Sequence, residues 1–405
     1  MSSVARVPHP PPFHGDVFTV GVTGTNGKTT TTAWIAAALR ALSRPVARAT
    51  TVGFFLDDEE LPVEKSYDGF IEAMRAAHAR GGRHASIELT SEALARGFAR
   101  AWPCRVGVFT NLTHDHLDAH GSAEHYLASK AQLFVTLPEG GRAVLNAADP
   151  VFDLLREITP PHVTTTTYAV PARGEVQGAP DLVARSVSVS WEGTSVECDV
   201  SKALRDAGVP SRVAVRAIGD VYAENALAAL LGAIAAGVAP AAAASALAAA
   251  EAPPGRFEVI HRRPWVVVDY AHSPDALART VATARALAKA RLFVIFGAGG
   301  KRDKAKRGAM GEAARPADVV VLTTDNPRDE DPADIARALA SGLAGHGGVR
   351  TELDRAKAVE AALLDAGDDD VVLVAGKGHE TEQIVGSEVR RFSDVEVARA
   401  ALARR

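Results

Sequence analysis

Cysteine is nearly absent from this chain. Two occur in 405 residues, Cys104 and Cys198. Two thiols so far apart make neither a zinc set nor a disulfide framework, and they fit a reducing compartment. Aromatic residues amount to only 5%, so alanine, valine and leucine must build the core. Neither sign of charge dominates. Lys and Arg number 45 against 49 Asp and Glu, a net charge of −4 that argues against broad non-specific binding to nucleic acid. The N-terminus lacks the apolar core of a signal peptide, since Arg6 and His9 are followed by Pro10-Pro11-Pro12. Long hydrophobic runs are missing, with one stretch to weigh. No charge lies between Glu224 and Glu251, a span long enough to cross a bilayer. It is mostly alanine, a weak membrane former, and Gly237-Val238-Ala239-Pro240 divides it, so it reads as two buried helices. The expectation is a cytoplasmic protein with no nucleic-acid and no membrane partner.

What is present describes an α/β protein. Hydrophobic residues make up 47% and charged residues 23%, the balance of a globular chain. At about 150 residues per domain the length allows two or three domains. Residues 17–22 form a short apolar, β-branched run. Gly24 to Lys28 reads as a turn, and an alanine- and leucine-rich helix covers 29–42. Strand, glycine turn and helix open an α/β domain. Further strands are expected at 85–89, 106–110 and 142–145, and the Thr-, Val- and Ser-rich stretch 163–200 is expected to hold strands of a side sheet. Pro253-Pro254-Gly255 marks a linker. After it the alternation restarts, with strands expected at 265–270, 292–296, 319–323 and 371–375 and a helix at 276–290. The expected layout is a tail over 1–16, a central domain over 17–252 and a C-terminal domain over 253–405, each α/β with a mostly parallel sheet.

The strongest local motif is Gly21-Val22-Thr23-Gly24-Thr25-Asn26-Gly27-Lys28-Thr29-Thr30. Backbone N–H groups in such a turn, at a helix N-terminus, cradle phosphates. Lys28 would reach the β- and γ-phosphates of ATP, and the Thr29 hydroxyl would ligate Mg2+. One feature departs from the full phosphate-loop pattern: Val22 stands where its first glycine belongs. A second polar loop, Thr110-Asn111-Leu112-Thr113-His114-Asp115-His116-Leu117-Asp118, follows directly on an expected strand, where open α/β sheets place ligands. It is a candidate for metal or phosphate contact. Glu88 also ends an apolar strand and is a candidate oxygen ligand.

These residues resemble the Mur ligases. Gly24-Thr25-Asn26-Gly27-Lys28-Thr29 is similar to the family's phosphate loop, and Asn111, Asp115, His116 and Asp118 match its Asn-x-x-x-Asp-His-x-Asp signature. Ala128-Ser129-Lys130 resembles the segment whose lysine is carbamylated. Gly255-Arg256-Phe257-Glu258 resembles the opening of the last domain. Asp269-Tyr270-Ala271-His272-Ser273-Pro274-Asp275, Gly299-Gly300 with Arg302-Asp303-Lys304, Asp325-Asn326-Pro327-Arg328 and Gly376-Lys377-Gly378-His379-Glu380 resemble the subfamily that adds the third peptide residue.

The resemblance implies a fold, a central P-loop ATPase-type domain plus a C-terminal Rossmann-like domain. It also implies a reaction, ATP-dependent joining of a carboxylic acid and an amino acid through an acyl phosphate, with closure of the last domain gating catalysis. Residue roles follow by the same resemblance. Gly24 to Thr30 would hold ATP. Asn225 would contact adenine, and Arg256 and Asp269 would complete the nucleotide site. Thr29 and Glu88 would hold one Mg2+, and His116 with a carbamate formed on Lys130 from CO2 would hold a second. Lys28, His116, Lys130 and His272 form the expected catalytic set. Asp325, Asn326, Arg328 and Glu380 are the expected amino-acid site, which in the resembled subfamily takes meso-diaminopimelate.

Four departures bear on the acid substrate and the adenine side. The family's front domain, which holds a UDP-sugar, is expected to be missing, since few residues precede Gly21. The family's Ser-Ser-His strip is here Thr90-Ser91-Glu92, and Lys65-Ser66-Tyr67-Asp68-Gly69 lies where Thr-Thr-Pro is expected. Tyr222 takes the place of the first of two adenine-side asparagines. Three readings stay open at this point: a UDP-muramoyl ligase, a related ligase acting on a smaller acid, and a non-catalytic nucleotide-binding partner subunit. Folylpolyglutamate synthetases are a weaker match, because their phosphate loop continues Gly-Ser after the lysine where this chain has Thr29-Thr30.

Overall fold

The computed structural model describes residues 8–112, 123–301 and 304–405. It divides into two compact units, residues 1–216 with 220–251 and residues 217–219 with 252–405.

The first unit is built on one sheet. Its strands are β1 (Phe18–Thr23), β2 (Val46–Ala49), β3 (Phe54–Leu56), β4 (Glu59–Leu61), β5 (His84–Glu88), β6 (Val106–Phe109), β7 (Arg142–Asn146), β8 (Thr164–Ala169), β9 (Leu182–Ser190), β10 (Gly193–Val200) and β11 (Arg212–Val215). They lie in the order β11-β10-β9-β8-β7-β6-β1-β5-β2-β3-β4. The stretch from β2 through β5, β1, β6, β7 and β8 to β9 is parallel, and antiparallel strands close both edges. β1 is central because its apolar run can be covered on both faces, as parallel strands require. Its register aligns Val22 with Glu88 on one side and with Val108 on the other. The chain leaves β1 toward β2 on one side and returns to β6 on the other. The C-terminal ends of β1, β5, β6 and β7 therefore flank a switch in strand order, the usual ligand crevice of such sheets.

The stretch expected as a side sheet instead extends this one. β8 pairs in parallel with β7 from Thr164 to Tyr168, and β9 to β11 continue outward. Joining an existing edge pairs the backbone groups that a separate small sheet would leave open.

The helix Lys28–Leu39 has no polar face, and Trp34, Ile35, Ala36, Ala38 and Leu39 are all buried. The uncharged run forms two helices, Val221–Ala235 and Pro240–Ala249. In the first, only Val221 and Ile234 escape full burial. Among the described residues no helix is long and apolar enough to cross a membrane.

The second unit has six strands, β12 (Glu258–Arg262), β13 (Trp265–Asp269), β14 (Leu292–Phe296), β15 (Val319–Leu322), β16 (Val349–Thr351) and β17 (Val371–Ala375). They are ordered β12-β13-β17-β14-β15-β16, and all but β12 run parallel. A hairpin of β18 (Glu382–Val385) and β19 (Glu388–Arg391) stands apart. Val266, Val268, Phe293, Ile295, Val372 and Val374 form one core with Val359, Leu363 and Ala398 of the covering helices. Arg355 and Asp394, both fully buried, lock those helices by two hydrogen bonds of 2.7 Å. Such a bidentate pair offsets much of the cost of burying its charges.

Candidate nucleotide and amino-acid sites

Residues 24–27 leave the C-terminal end of β1 and deliver the chain into the helix Lys28–Leu39. Gly24 and Gly27 have φ of +148° and +80°. A Cβ on Gly24 would collide with the Thr110 hydroxyl, and one on Gly27 with the Asn225 side-chain oxygen. Both glycines are therefore required by conformation and by space. The loop is held from β6 as well. Thr25 N donates to Asn111 O at 2.7 Å, and Asn26 N donates to Asn111 Oδ1 at 2.9 Å. The Thr110 hydroxyl donates to Asn26 O at 2.7 Å.

Glu88, at the end of β5, gathers the next group. The Thr29 hydroxyl donates to Glu88 Oε2 at 2.8 Å, and Lys28 Nζ lies 4.0 Å from Glu88 Oε1. Thr51 adds its backbone N–H at 3.2 Å and its hydroxyl at 3.4 Å to the same Oε2. Thr51 escaped the sequence reading because nothing local marks it; the pairing of β2 with β5 brings it there. The Thr29 hydroxyl in the first turn of the helix and the Glu88 carboxylate at the end of β5 form a hard-oxygen donor set, which fits Mg2+.

Lys130, on the helix Ala123–Val135, reaches the loop from below. Its Nζ donates to Gly24 O at 2.6 Å and stands 4.4 Å from the centroid of the Tyr126 ring. The residue is 1% exposed. Burial, with the charge of Lys28 second, lowers its ammonium pKa to about 6. A lysine so depressed is largely the neutral amine at pH 7.

Asn225 backs Gly27 from the helix Val221–Ala235. Beside it, Glu224 accepts from Asn146 Nδ2 at 2.6 Å and from Asn111 Nδ2 at 3.1 Å. Sequence reasoning missed Glu224 and Asn146, whose only local signal is a polar residue inside an apolar run. His114, Asp115, His116 and Asp118 lie outside the described residues, as do Arg302 and Asp303. Among the described residues no three His, Cys, Asp or Glu side chains form a metal-binding group. Thr90, in the strip that departs from the family form, caps the short helix Ser91–Ala95 by accepting from Ala93 N at 3.2 Å.

In the second unit, the Asp269 carboxylate is taken up by its own segment. Phe257 N donates to Oδ2 at 2.6 Å, and Ala271 N and the Thr280 hydroxyl donate to Oδ1 at 2.7 and 3.2 Å. Burial raises its pKa while these donors oppose the rise. Arg256 stacks on the Tyr270 ring at 4.7 Å. His272 Nδ1 meets Tyr270 O at 2.9 Å.

Asp325, Asn326 and Glu380 come together around a residue the sequence reading quoted but did not assign, Lys377. Its Nζ is fully buried, 3.1 Å from Glu380 Oε2, 3.2 Å from Asn326 Oδ1 and 3.5 Å from Asp325 Oδ1. Asn326 Nδ2 donates to Glu380 Oε2 at 3.2 Å. Arg328, at φ +53°, turns its Nη1 to Gly300 O at 2.9 Å. Lys377 carries one positive charge against the two carboxylates of Asp325 and Glu380, so the cluster retains an excess negative charge.

Residues 22–233 match the Mur ligase middle domain, and residues 255–378 match the Mur ligase, glutamate ligase domain. The chain is 36% identical over 397 residues to the UDP-N-acetylmuramoyl-L-alanyl-D-glutamate–2,6-diaminopimelate ligase of Bacillus velezensis, covering 95% of this chain and 78% of that protein. The ligase of the same name from Synechococcus elongatus is 38% identical over 400 residues, covering 95% and 76%. A solved structure of a UDP-N-acetylmuramoyl-L-alanyl-D-glutamate–2,6-diaminopimelate ligase superposes with a TM-score of 0.69 at 31% identity, covering 99% of this chain and 80% of that one. Mycobacterium tuberculosis folylpolyglutamate synthase, complexed with ADP and AMPPCP, shares the fold at a TM-score of 0.69 and 19% identity, over 90% of this chain and 89% of that one. This chain belongs to the Mur ligase family, ATP-dependent ligases that form an amide bond between an acid and an amino acid.

Proposed function

We propose that the first unit, with its P-loop ATPase-type arrangement, binds Mg-ATP at residues 24–30. We further propose that the Rossmann-like second unit binds an amino acid carrying a second ammonium, of the 2,6-diaminopimelate class. The observation that carries the reading is the convergence of Thr29 and Lys28 on Glu88 beside a loop braced by Lys130.

The chemistry needs such a site. A carboxylate is a poor electrophile, since it is anionic and would have to expel oxide. Transfer of the γ-phosphoryl group to its oxygen gives an acyl phosphate. The amine then attacks the carbonyl carbon, and phosphate leaves from the tetrahedral intermediate. The first step brings two anions together, so cations must neutralise them. Lys28 and the N–H groups of the loop meet the phosphates. Thr29 and Glu88 would hold Mg2+, which supplies further charge neutralisation when bound. Lys130 as a neutral amine can take up CO2 as a carbamate, losing a proton to solvent and becoming an anionic oxygen ligand for Mg2+. Asn225, Arg256, Asp269 and His272 serve the nucleotide in this reading.

On the amine side, Arg328 would pair with a substrate carboxylate. Asp325, Asn326 and Glu380 would take the distal ammonium. Asp325 and Glu380 share the single positive charge of Lys377, which suits a second ammonium arriving with the substrate. Two reduced, buried thiols support a cytoplasmic setting.

The test is a screen of carboxylic acids, UDP-linked and small, against amino acids. It reads phosphate release together with the mass of the amide. Diaminopimelate-dependent release with an amide product is expected. Tight ATP binding with no release for any pair would instead favour a nucleotide-binding subunit.

A further inference from the structure

We infer that Glu224 is a positioning residue for the phosphate loop, acting through the side-chain amide of Asn111. The inference rests on the nucleotide reading of residues 24–30.

Other contacts show which way the amides of the two asparagines facing Glu224 point. Asn146 Oδ1 accepts from Ala148 N at 3.0 Å, and its Nδ2 donates to Thr110 O at 2.7 Å. Asn111 Oδ1 accepts from Asn26 N at 2.9 Å, and its Nδ2 also approaches Asn26 O at 3.4 Å. Each therefore turns an NH2 group toward the helix Val221–Ala235. Only a group with two acceptors and no donor satisfies both, and an ionised carboxylate is that group. Glu224 presents one oxygen to each, at 2.6 and 3.1 Å. It is 5% exposed, Asn111 9% and Asn146 1%, so water cannot replace a lost partner cheaply.

The consequence reaches the loop. Asn111 grips the N–H of Asn26, while the Thr110 hydroxyl grips the carbonyl of the same residue. Those contacts fix the peptide planes on both sides of Asn26 and so aim the N–H groups that follow toward the phosphates. With an amide at position 224, one of the two NH2 groups must face another donor. Where the mismatch falls on Asn111, its amide loses the acceptor behind it and holds Asn26 N less firmly.

The experiment compares the full chain with Glu224→Gln and Glu224→Ala. Calorimetry measures Mg-ATP and Mg-ADP binding, steady-state rates give separate KM values for ATP and the amino acid, and Tm is recorded alongside. About tenfold weaker Mg-ATP binding and a matching rise in KM for ATP are expected in both variants, with KM for the amino acid unchanged. Glu224→Gln keeps the side-chain shape, so it carries the test if the alanine variant folds poorly. A fall in Tm with Mg-ATP binding unaltered in Glu224→Gln would make the residue merely structural and overturn the inference alone. Failure of the wild-type chain to bind Mg-ATP would overturn the nucleotide reading, and the inference with it.

Discussion

The side-chain nitrogen of Lys130 lies 2.6 Å from the carbonyl oxygen of Gly24, across 106 residues of sequence. The contact places a nearly buried lysine under the loop proposed to receive phosphate, next to the charges of Lys28 and Glu88.

A pH-dependent stability follows from that lysine. Its pKa is about 6 in the folded chain against 10.5 for an ordinary lysine. Between these values the unfolded chain holds a proton that the folded chain has released, so stability rises with pH through this window. Below pH 6 the cost of burying the group is fully present. Lys130→Met should therefore be more stable than wild type, most clearly at pH 6, with the gap closing toward pH 10. Denaturant titrations in CO2-depleted buffer without nucleotide or metal check this. A gap that does not change with pH would sink the assignment of a neutral Lys130. Turnover by Lys130→Met should be largely lost, and unchanged turnover would count against a carbamate at this position.

Glu88 gathers Thr29, Thr51 and Lys28. Glu88→Gln removes the negative charge while keeping the shape. A metal partner or its supporting group is worth about 10- to 100-fold in metal affinity or activity. Titrating Mg2+ against ATP turnover should show the half-saturating concentration rising by that order. An unshifted Mg2+ curve would remove Glu88 from the metal site.

Gly27 sits at φ +80° against Asn225. Gly27→Ala introduces a left-handed non-glycine residue, a cost of about 1–2 kcal/mol, and a collision with the Asn225 oxygen. Nucleotide binding should fall sharply. Adding Asn225→Ala relieves the collision and leaves the strain, so the double variant should recover part of the stability lost by Gly27→Ala. Thermal unfolding of the four proteins reads this coupling. Strict additivity would show that the two side chains do not meet.

Lys377 is held among Asp325, Asn326 and Glu380 with no exposure. Lys377→Met leaves two carboxylates without their cation, and breaking a buried pair costs about 3–5 kcal/mol. Stability should drop by that order, and KM for the amino acid should rise while KM for ATP stays put. Glu380→Gln should raise the same KM with a smaller loss of stability, because Glu380 is partly exposed. Equal effects on both KM values would detach this cluster from the amine.

Several local elements were legible without coordinates. The expected strands at 292–296 and 371–375 are β14 and β17, because short unbroken apolar runs with β-branched residues, bounded by turns, suit buried strands. The division of the uncharged run at Gly237 to Pro240 follows from residues that end helices. The stretch 163–200 was misjudged because alternation identifies a strand but not the sheet it joins. The turn at Gly24 and Gly27 and the helix start at Lys28 and Thr29 were readable because the geometry of such a loop is local.

By itself, then, the sequence determined the glycine turn before the first helix, the alternation of strands and helices, and the kinship to Mur ligases, all of which depend on residues near one another in the chain. Only the tertiary structure decided which distant groups answer that loop: Lys130 beneath Gly24, Thr51 on Glu88, Glu224 behind Asn111, and Lys377 among the carboxylates. Burial sets the charge state of such groups and leaves their polar atoms few partners. Both depend on how strand ends and helices meet in space, which no local pattern records.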